Sequence, residues 1–258
     1  MPKFSSIYTV VNHDMGRNYR MSPLAAVSFF EDGFAKSMTQ KYLAAFDVID
    51  QNLYWIITEF EIQFEDILPF WSEQVQVDIW VSERSRIKIY SDFTMSHRGK
   101  VFAKGSACWL IIDAVKKRPS STEILEGKIE TINELALGEH KKFTWVESEN
   151  VTSVVEHPIT LSDIDFNNHV NNKVYLRVAM EQRVRAFGDG FAVKSINVRY
   201  FQECFLDEIL VCKEYQIEEN KYSYKLEKNG VDVCNVIVEW QKQVDDVLIK
   251  DYPLLARG

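Results

Sequence analysis

The chain repeats one plan twice, an amphipathic helix followed by a run of strand-like segments, and this limits its folds more than any other feature. In the first half Ser22-Pro23 reads as an N-cap with proline at the first helical position, where the missing N–H costs no hydrogen bond. Val27, Phe30, Phe34 and Met38 then recur at three- and four-residue spacing and share one helical face. Strand patterns follow. Residues 52–64 are rich in β-branched and aromatic types, and Val75, Val77, Ile79 and Val81 alternate strictly. Ile87 and Ile89 open another strand, and a turn at His97-Arg98-Gly99-Lys100 leads into residues 101–113. In the second half a helix is expected from about His169 to Phe187. Leu176, Met180, Val184 and Phe187 form one of its stripes, and Val170, Val174 and Val178 another. Apolar residues on more than one face predict a helix enclosed over much of its girth. Ile196, Val198 and Tyr200 alternate, as do Tyr222, Tyr224 and Leu226. Asn229-Gly230 is a two-residue hairpin signal before Val231, Val233, Val236 and Val238.

Pro119 to about Asn150, rich in Ser, Glu and Lys, shows no strand pattern and reads as a linker with some helical content. The expected organisation is a first domain over 1–135, a linker over 136–150 and a second domain over 151–258. With 258 residues, 46% of them hydrophobic, the chain can bury two cores of roughly 130 residues each. Periodicity alone therefore supports an α+β fold with an internal repeat.

Charge and cysteine usage exclude several functions. A formal charge of −8 argues against a nucleic-acid binder, although a local basic patch such as Arg183/Arg185 leaves an acidic protein partner open. No apolar run approaches the ~20 residues of a membrane span. No signal- or transit-peptide pattern opens the chain, so a cytoplasmic location is expected. Cys108, Cys204, Cys212 and Cys234 have neither zinc spacing nor a disulfide pattern and read as buried thiols. No phosphate-cradling glycine loop is present, and neither a metal nor an organic cofactor is expected.

One stretch departs from ordinary loop chemistry: Leu161-Ser162-Asp163-Ile164-Asp165-Phe166-Asn167-Asn168-His169-Val170-Asn171-Asn172. Asp and Asn favour turns and helix starts, but a histidine and repeated amides exceed what capping requires. The segment resembles the signature of acyl-ACP thioesterases, Ser-Asp-x-Asp-x-Asn-x-His-Val-Asn-Asn before a helix bearing a tyrosine, here Tyr175. Val198-Arg199-Tyr200-Phe201-Gln202-Glu203-Cys204 resembles the family's strand ending in Glu-Cys. Its distance from His169, 203 − 169 = 34 residues, fits the same pattern. Leu68-Pro69-Phe70-Trp71-Ser72-Glu73 and Asp78-Ile79-Trp80-Val81 are similar to the family's Pro-x-Trp-Gly turn and Thr-Trp strand, with Ser72 and Ile79 departing from Gly and Thr.

The resemblance implies a tandem double hot-dog, each half a long helix wrapped by an antiparallel sheet. It also implies hydrolysis of fatty acyl-ACP, with acyl carrier protein as partner. Carried over by position, it gives Asp165, Asn167, His169 and Glu203 as the catalytic group. Glu203 is then the general base, and backbone N–H groups near His169 and Val170 form the oxyanion site. Cys204 is the alternative nucleophile, expected on the opposite strand face from Glu203. The first half lacks an Asn/His copy, Arg17-Asn18-Tyr19-Arg20 being the nearest equivalent. It is expected to supply the acyl-chain cavity, with Phe30, Phe34 and Trp55 as candidate lining. Acyl-CoA is the alternative carrier, and a non-catalytic acyl binder a further reading that would need no Glu203. Both monomer and homodimer are compatible with two halves in one chain.

Overall fold

A computed structural model describes residues 3–242 except 17, 18, 66, 147, 188 and 189. In chain order the first half comprises β1 (Phe4–Thr9), α1 (Pro23–Thr39), the short α2 (Ala45–Val48), β2 (Leu53–Phe64), β3 (Gln74–Arg84), β4 (Lys88–His97), β5 (Lys100–Asp113) and the two-residue β6 (Arg118–Pro119). The second comprises β7 (Val151–Pro158), α3 (Asn172–Phe187), β8 (Phe191–Tyr200), β9 (Ile209–Glu218), β10 (Lys221–Lys228) and β11 (Val231–Lys242).

The strands form one antiparallel sheet in the order β1-β3-β4-β5-β2-β8-β11-β10-β9-β7, with β6 added against β5. The order β1-β3-β4-β5-β2 recurs in mirror sequence as β8-β11-β10-β9-β7, so the two halves share one topology. They join where Glu59–Gln63 of β2 pairs with Ser195–Arg199 of β8. Each half is a helix wrapped by its own part of the sheet, the tandem double hot-dog of α+β class.

Local chemistry explains the elements. The Ser22 side chain accepts from Ala25 N at 3.1 Å, and Pro23 opens α1 as expected. Val27, Phe30, Phe34 and Met38 all lie buried against the sheet, each contributing about 1.5–3 kcal/mol through lost water contact. Both hairpin turns use two positive-φ residues, Arg98 and Gly99 (49° and 77°) and Asn229 and Gly230 (52° and 76°). Gly105 lies opposite Phe93 across β4 and β5. A Cβ there would collide with the Phe93 ring and the Glu61 carbonyl, so glycine is what lets that ring lie over the strand.

Two expectations change. Helix α3 begins at Asn172 and not near His169, because the residues before it are folded into a hydrogen-bonded loop. Val184, placed on an apolar stripe, is exposed. The region after Pro119, expected as a linker with some helical content, is hydrogen-bonded to the first half at several points. Among the described residues its helical content is a single 3-10 turn, Thr122–Leu125, and the rest forms a strap without regular structure that passes Trp80 and Asp92 of the first half and reaches Ser223 of the second. Leu125, Ile129 and Phe143 are buried, too far apart in sequence to show a period. Ile132 N donates to Val81 O at 2.8 Å, and Trp80 Nε1 donates to Glu134 O at 2.8 Å.

His140 fastens the strap. Its Nε2 lies 2.8 Å from Asp92 Oδ2, Nδ1 lies 3.3 Å from Glu83, and the ring stacks on Tyr90 at 4.3 Å. Asp92 is fully buried and also takes Ala136 N at 2.8 Å and the Ser82 hydroxyl. Burial opposes a charge on His140, but Asp92 and then Glu83 outweigh it, so the net shift of its pKa is upward. A histidine with a raised folded pKa adds stability that is full below its unfolded pKa and fades as pH rises through the folded one. His140→Ala is expected to cost about 3 kcal/mol at pH 6 by leaving Asp92 without its cation, and less at pH 9. Urea denaturation at the two pH values checks both the loss and its direction.

Candidate active site

The loop between β7 and α3 is built from its own acids. Thr160 N and Oγ1 both donate to Asp163 Oδ2 at 2.9 Å, closing a 3-10 turn over Leu161–Asp163. His157 Nε2 lies 3.1 Å from the same oxygen, and Arg177 Nη2 from α3 reaches Oδ1 at 2.6 Å. Burial works against the Asp163 charge, yet the Thr160 donors and then His157 win and hold its carboxyl below the usual range. Asp163 is thus the anchor that holds the loop to the helix.

Past Asp163 the backbone doubles back. Asp165 N donates to His169 O at 3.0 Å, Asn168 N to Asp165 O at 3.1 Å and Asn171 N to Asp163 O at 2.9 Å. Asn168 takes a φ of 63°, which asparagine tolerates better than most residues. Asp165 Oδ1 accepts Asn167 N at 2.8 Å, so this carboxylate is turned into the loop. Asn167 and Phe166 are exposed at its tip.

Glu203 arrives from the other direction. Strand β8 ends at Tyr200, and the next residues leave the ladder, with Phe201 N and Gln202 N both donating to Val233 O. Val170 N donates to Cys204 O at 2.8 Å and Lys228 Nζ to Glu203 O at 3.2 Å, which pins this segment against the loop. The result is a histidine between two carboxylates: His169 Nδ1 is 3.8 Å from Asp165 Oδ1, and Nε2 is 3.8 Å from Glu203 Oε1. Both distances exceed hydrogen-bond reach, as is common for catalytic pairs before substrate tightens them. Tyr54 of β2 is near enough to Glu203 for its hydroxyl pKa, raised first by burial, to rise further with the carboxylate's charge.

Glu203 is exposed and Cys204 fully buried, and the pair lies in an irregular segment after β8 and not on a strand's two faces. Burial pushes the Cys204 thiol pKa up, and the Tyr175 hydroxyl beside it lowers it only in part. The expected oxyanion donors also divide. Val170 N–H is committed to Cys204, whereas among the described residues His169 N–H has no hydrogen-bond partner.

Asp165, His169 and Glu203 therefore converge, with Asn167 at the loop tip. The sequence did not single out Asp163 as an anchor, although a threonine three residues before an aspartate is a turn signal. Nor did it point to Tyr54 or to Glu31 of α1, which meets Asn172 from the other half; contacts between halves leave no local pattern. Of the residues preceding α1, Arg17 and Asn18 lie outside the described residues.

The three aromatic candidates form one layer. Phe30, fully buried, sits 4.3 Å from Phe93 and 5.3 Å from Phe60 between ring centroids, which makes it core. Phe34 stacks on Trp109 at 4.0 Å and meets Trp55 edge-on at 5.6 Å, while Trp55 Nε1 donates to Leu43 O. Phe34 also borders a small crevice of about 50 Å³ with Met38, Ile79 and Trp80. Among the described residues no helix is long and apolar enough to cross a membrane.

Residues 2–127 match the family model of the acyl-ACP thioesterase N-terminal domain, and residues 146–242 that of the C-terminal domain. A chloroplastic palmitoyl-acyl carrier protein thioesterase of Arabidopsis thaliana is 25% identical over 80% of this chain and 49% of its own length. A chloroplastic oleoyl-acyl carrier protein thioesterase 1 of the same plant is 23% identical over 81% and 58%. The chain thus spans about half the length of the curated relatives it matches. Among solved structures, an acyl-ACP thioesterase from Bacteroides thetaiotaomicron superposes with a TM-score of 0.82 at 18% identity, covering 92% of this chain and 97% of that one. The 12:0-ACP thioesterase from Umbellularia californica gives 0.82 at 17% identity, covering 93% and 97%. At such identities the likeness establishes the fold.

Asp163→Ala is expected to lower stability by roughly 3 kcal/mol, because it strands Arg177 and two Thr160 donors. Chemical denaturation measures the loss, and Asp163→Asn, which keeps an acceptor, should lose less.

Proposed function

The chain belongs to the acyl-ACP thioesterase family, and from that premise we propose that it hydrolyses fatty acyl-ACP to a free fatty acid and the carrier's thiol. The observation that carries this reading is the Glu203 carboxylate 3.8 Å from His169 Nε2, reached from a segment tied to the histidine's loop by the Val170–Cys204 hydrogen bond.

Glu203 takes a proton from water as the water oxygen attacks the thioester carbonyl. His169 N–H, open at the root of the loop, stabilises the oxyanion, a contribution worth about 3–4 kcal/mol where such a donor is placed in advance. The C–S bond then breaks, and the proton held by Glu203 passes to the departing sulfur. His169 orients the water, Asp165 orients His169 and the loop, and the Asn167 side chain at the tip faces the thioester. Cys204 is left to packing: a buried thiol with a raised pKa is a poor nucleophile at neutral pH.

The acyl tail lies against the first half's aromatic layer, with Phe34 and Trp55 as lining. Phe34 is the stronger candidate because it borders a small crevice beside α1. The first half, through residue 135, supplies this cavity, 136–150 link the halves, and 151–258 carry the chemistry. We infer a cytoplasmic enzyme acting as monomer or homodimer on acyl carrier protein, with no cofactor.

Free-thiol release from purified acyl-ACP and acyl-CoA of several chain lengths tests the proposal. Turnover of acyl-ACP above acyl-CoA is expected, and Glu203→Gln should lower kcat by about 10²–10⁴-fold. Cys204→Ala should stay near wild type. Full activity in Glu203→Gln, or its loss in a folded Cys204→Ala, would reverse the assignment of base and nucleophile.

A further inference from the structure

One carboxyl between the two halves takes no part in the steps above. On α1, Leu24, Ser28 and Glu31 are partly accessible, while Ala25, Ala26, Val27, Phe29 and Phe30 around them are buried. Spacing of four and three residues puts the accessible three on one line of the helix. That line meets the start of α3. Lys173 Nζ lies 3.4 Å from Ser28 Oγ, and Asn172 Nδ2 donates to Glu31 Oε1 at 3.4 Å. On the other side the Tyr200 hydroxyl donates to Asn172 O at 3.3 Å. Asn172 is the first residue of α3, three positions after His169. Glu31 thus grips, from the first half, the point where the second half's loop becomes helix.

Resting on the hydrolase reading, we propose that Glu31 is a positioning residue of the hydrolytic site, holding the Asn172 amide and through it the turn that carries His169. The groups facing it are Asn172 and Lys173 from α3, Asp165 from the loop and Tyr200 from β8.

The charge state follows from these neighbours. Burial raises the Glu31 carboxyl, Asn172 and Lys173 pull it down and Asp165 pushes it up, for a net value of about 7. A carboxyl whose folded pKa exceeds its unfolded one costs stability when ionised. The cost grows between the two values and is constant above the folded one. Glutamine would keep an acceptor without that cost, and strongly perturbed carboxyls cluster at functional sites. The ionised form accepts the Asn172 bond more strongly, so positioning improves as pH rises through about 7.

The test is kcat/KM for acyl-ACP between pH 5 and 9 in wild type, Glu31→Gln, Glu31→Ala, Asn172→Ala and the Glu31→Ala/Asn172→Ala double variant, with thermal melts alongside. Wild type should show a rise near pH 7 that Glu31→Gln lacks. Glu31→Ala should lose about 10- to 100-fold, and the double variant no more than the larger single loss. Glu31→Gln should melt with wild type at pH 5 and above it at pH 8. Persistence of the pH 7 rise in Glu31→Gln, or additive losses in the double variant, overturns the proposal while leaving the hydrolase reading intact. Should Glu31→Ala not fold, the near-isosteric Glu31→Gln profile decides alone. A wild type inactive on both acyl-ACP and acyl-CoA instead removes the hydrolase reading, and the positioning role with it.

Discussion

The pairing of β2 with β8 determines what the rest of the molecule can do. Five residues on each side, Glu59–Gln63 and Ser195–Arg199, continue two small sheets into one. Each sheet curls around a helix, so joining them edge to edge brings α1 and α3 into contact across the seam. Both strands also lead directly to the chemistry. Strand β8 runs out of the seam into the segment bearing Glu203, and β2 brings Tyr54 beside that carboxylate. The seam therefore sets the distance between groups lying far apart in sequence.

Within that frame the loop before α3 is held by backbone hydrogen bonds together with its two acids, which divide the work. Asp163, buried among Thr160, His157 and Arg177, fixes the loop to the helix. Asp165, two residues on, is turned back onto Asn167 N and stays near His169. The Asn-rich composition serves the same end. Asn168 adopts the left-handed conformation that the reversal demands, and Asn171 Oδ1 receives Lys173 N at the helix start.

How far the sequence could be read follows from which interactions are local. The helix cap at Ser22-Pro23, both two-residue hairpins, the alternation of β3 and the buried stripe of α1 depend on neighbours within a few residues, and each was legible. The start of α3 was not, because Val170 N bonds to a carbonyl 34 residues away and not into a helical turn. The strap after Pro119 escaped notice for a related reason. Leu125, Ile129 and Phe143 bury singly, the first two within the main core, so they have no period, and the His140–Asp92 contact joins residues 48 apart. In the candidate site, Asp165, Asn167, His169 and Glu203 stood out through their resemblance to a known motif. Glu31, which no motif carries, could be found only where the two helices meet.

The seam has a thermodynamic consequence. Two separate units meeting along β2 and β8 would assemble according to their concentration, and dilution would take the site apart. Here the strap from β6 to β7 makes that encounter intramolecular, so the local concentration of one half for the other is set by tether length and not by expression level. A strap pinned by His140 thus keeps the two-part site whole when the protein is scarce.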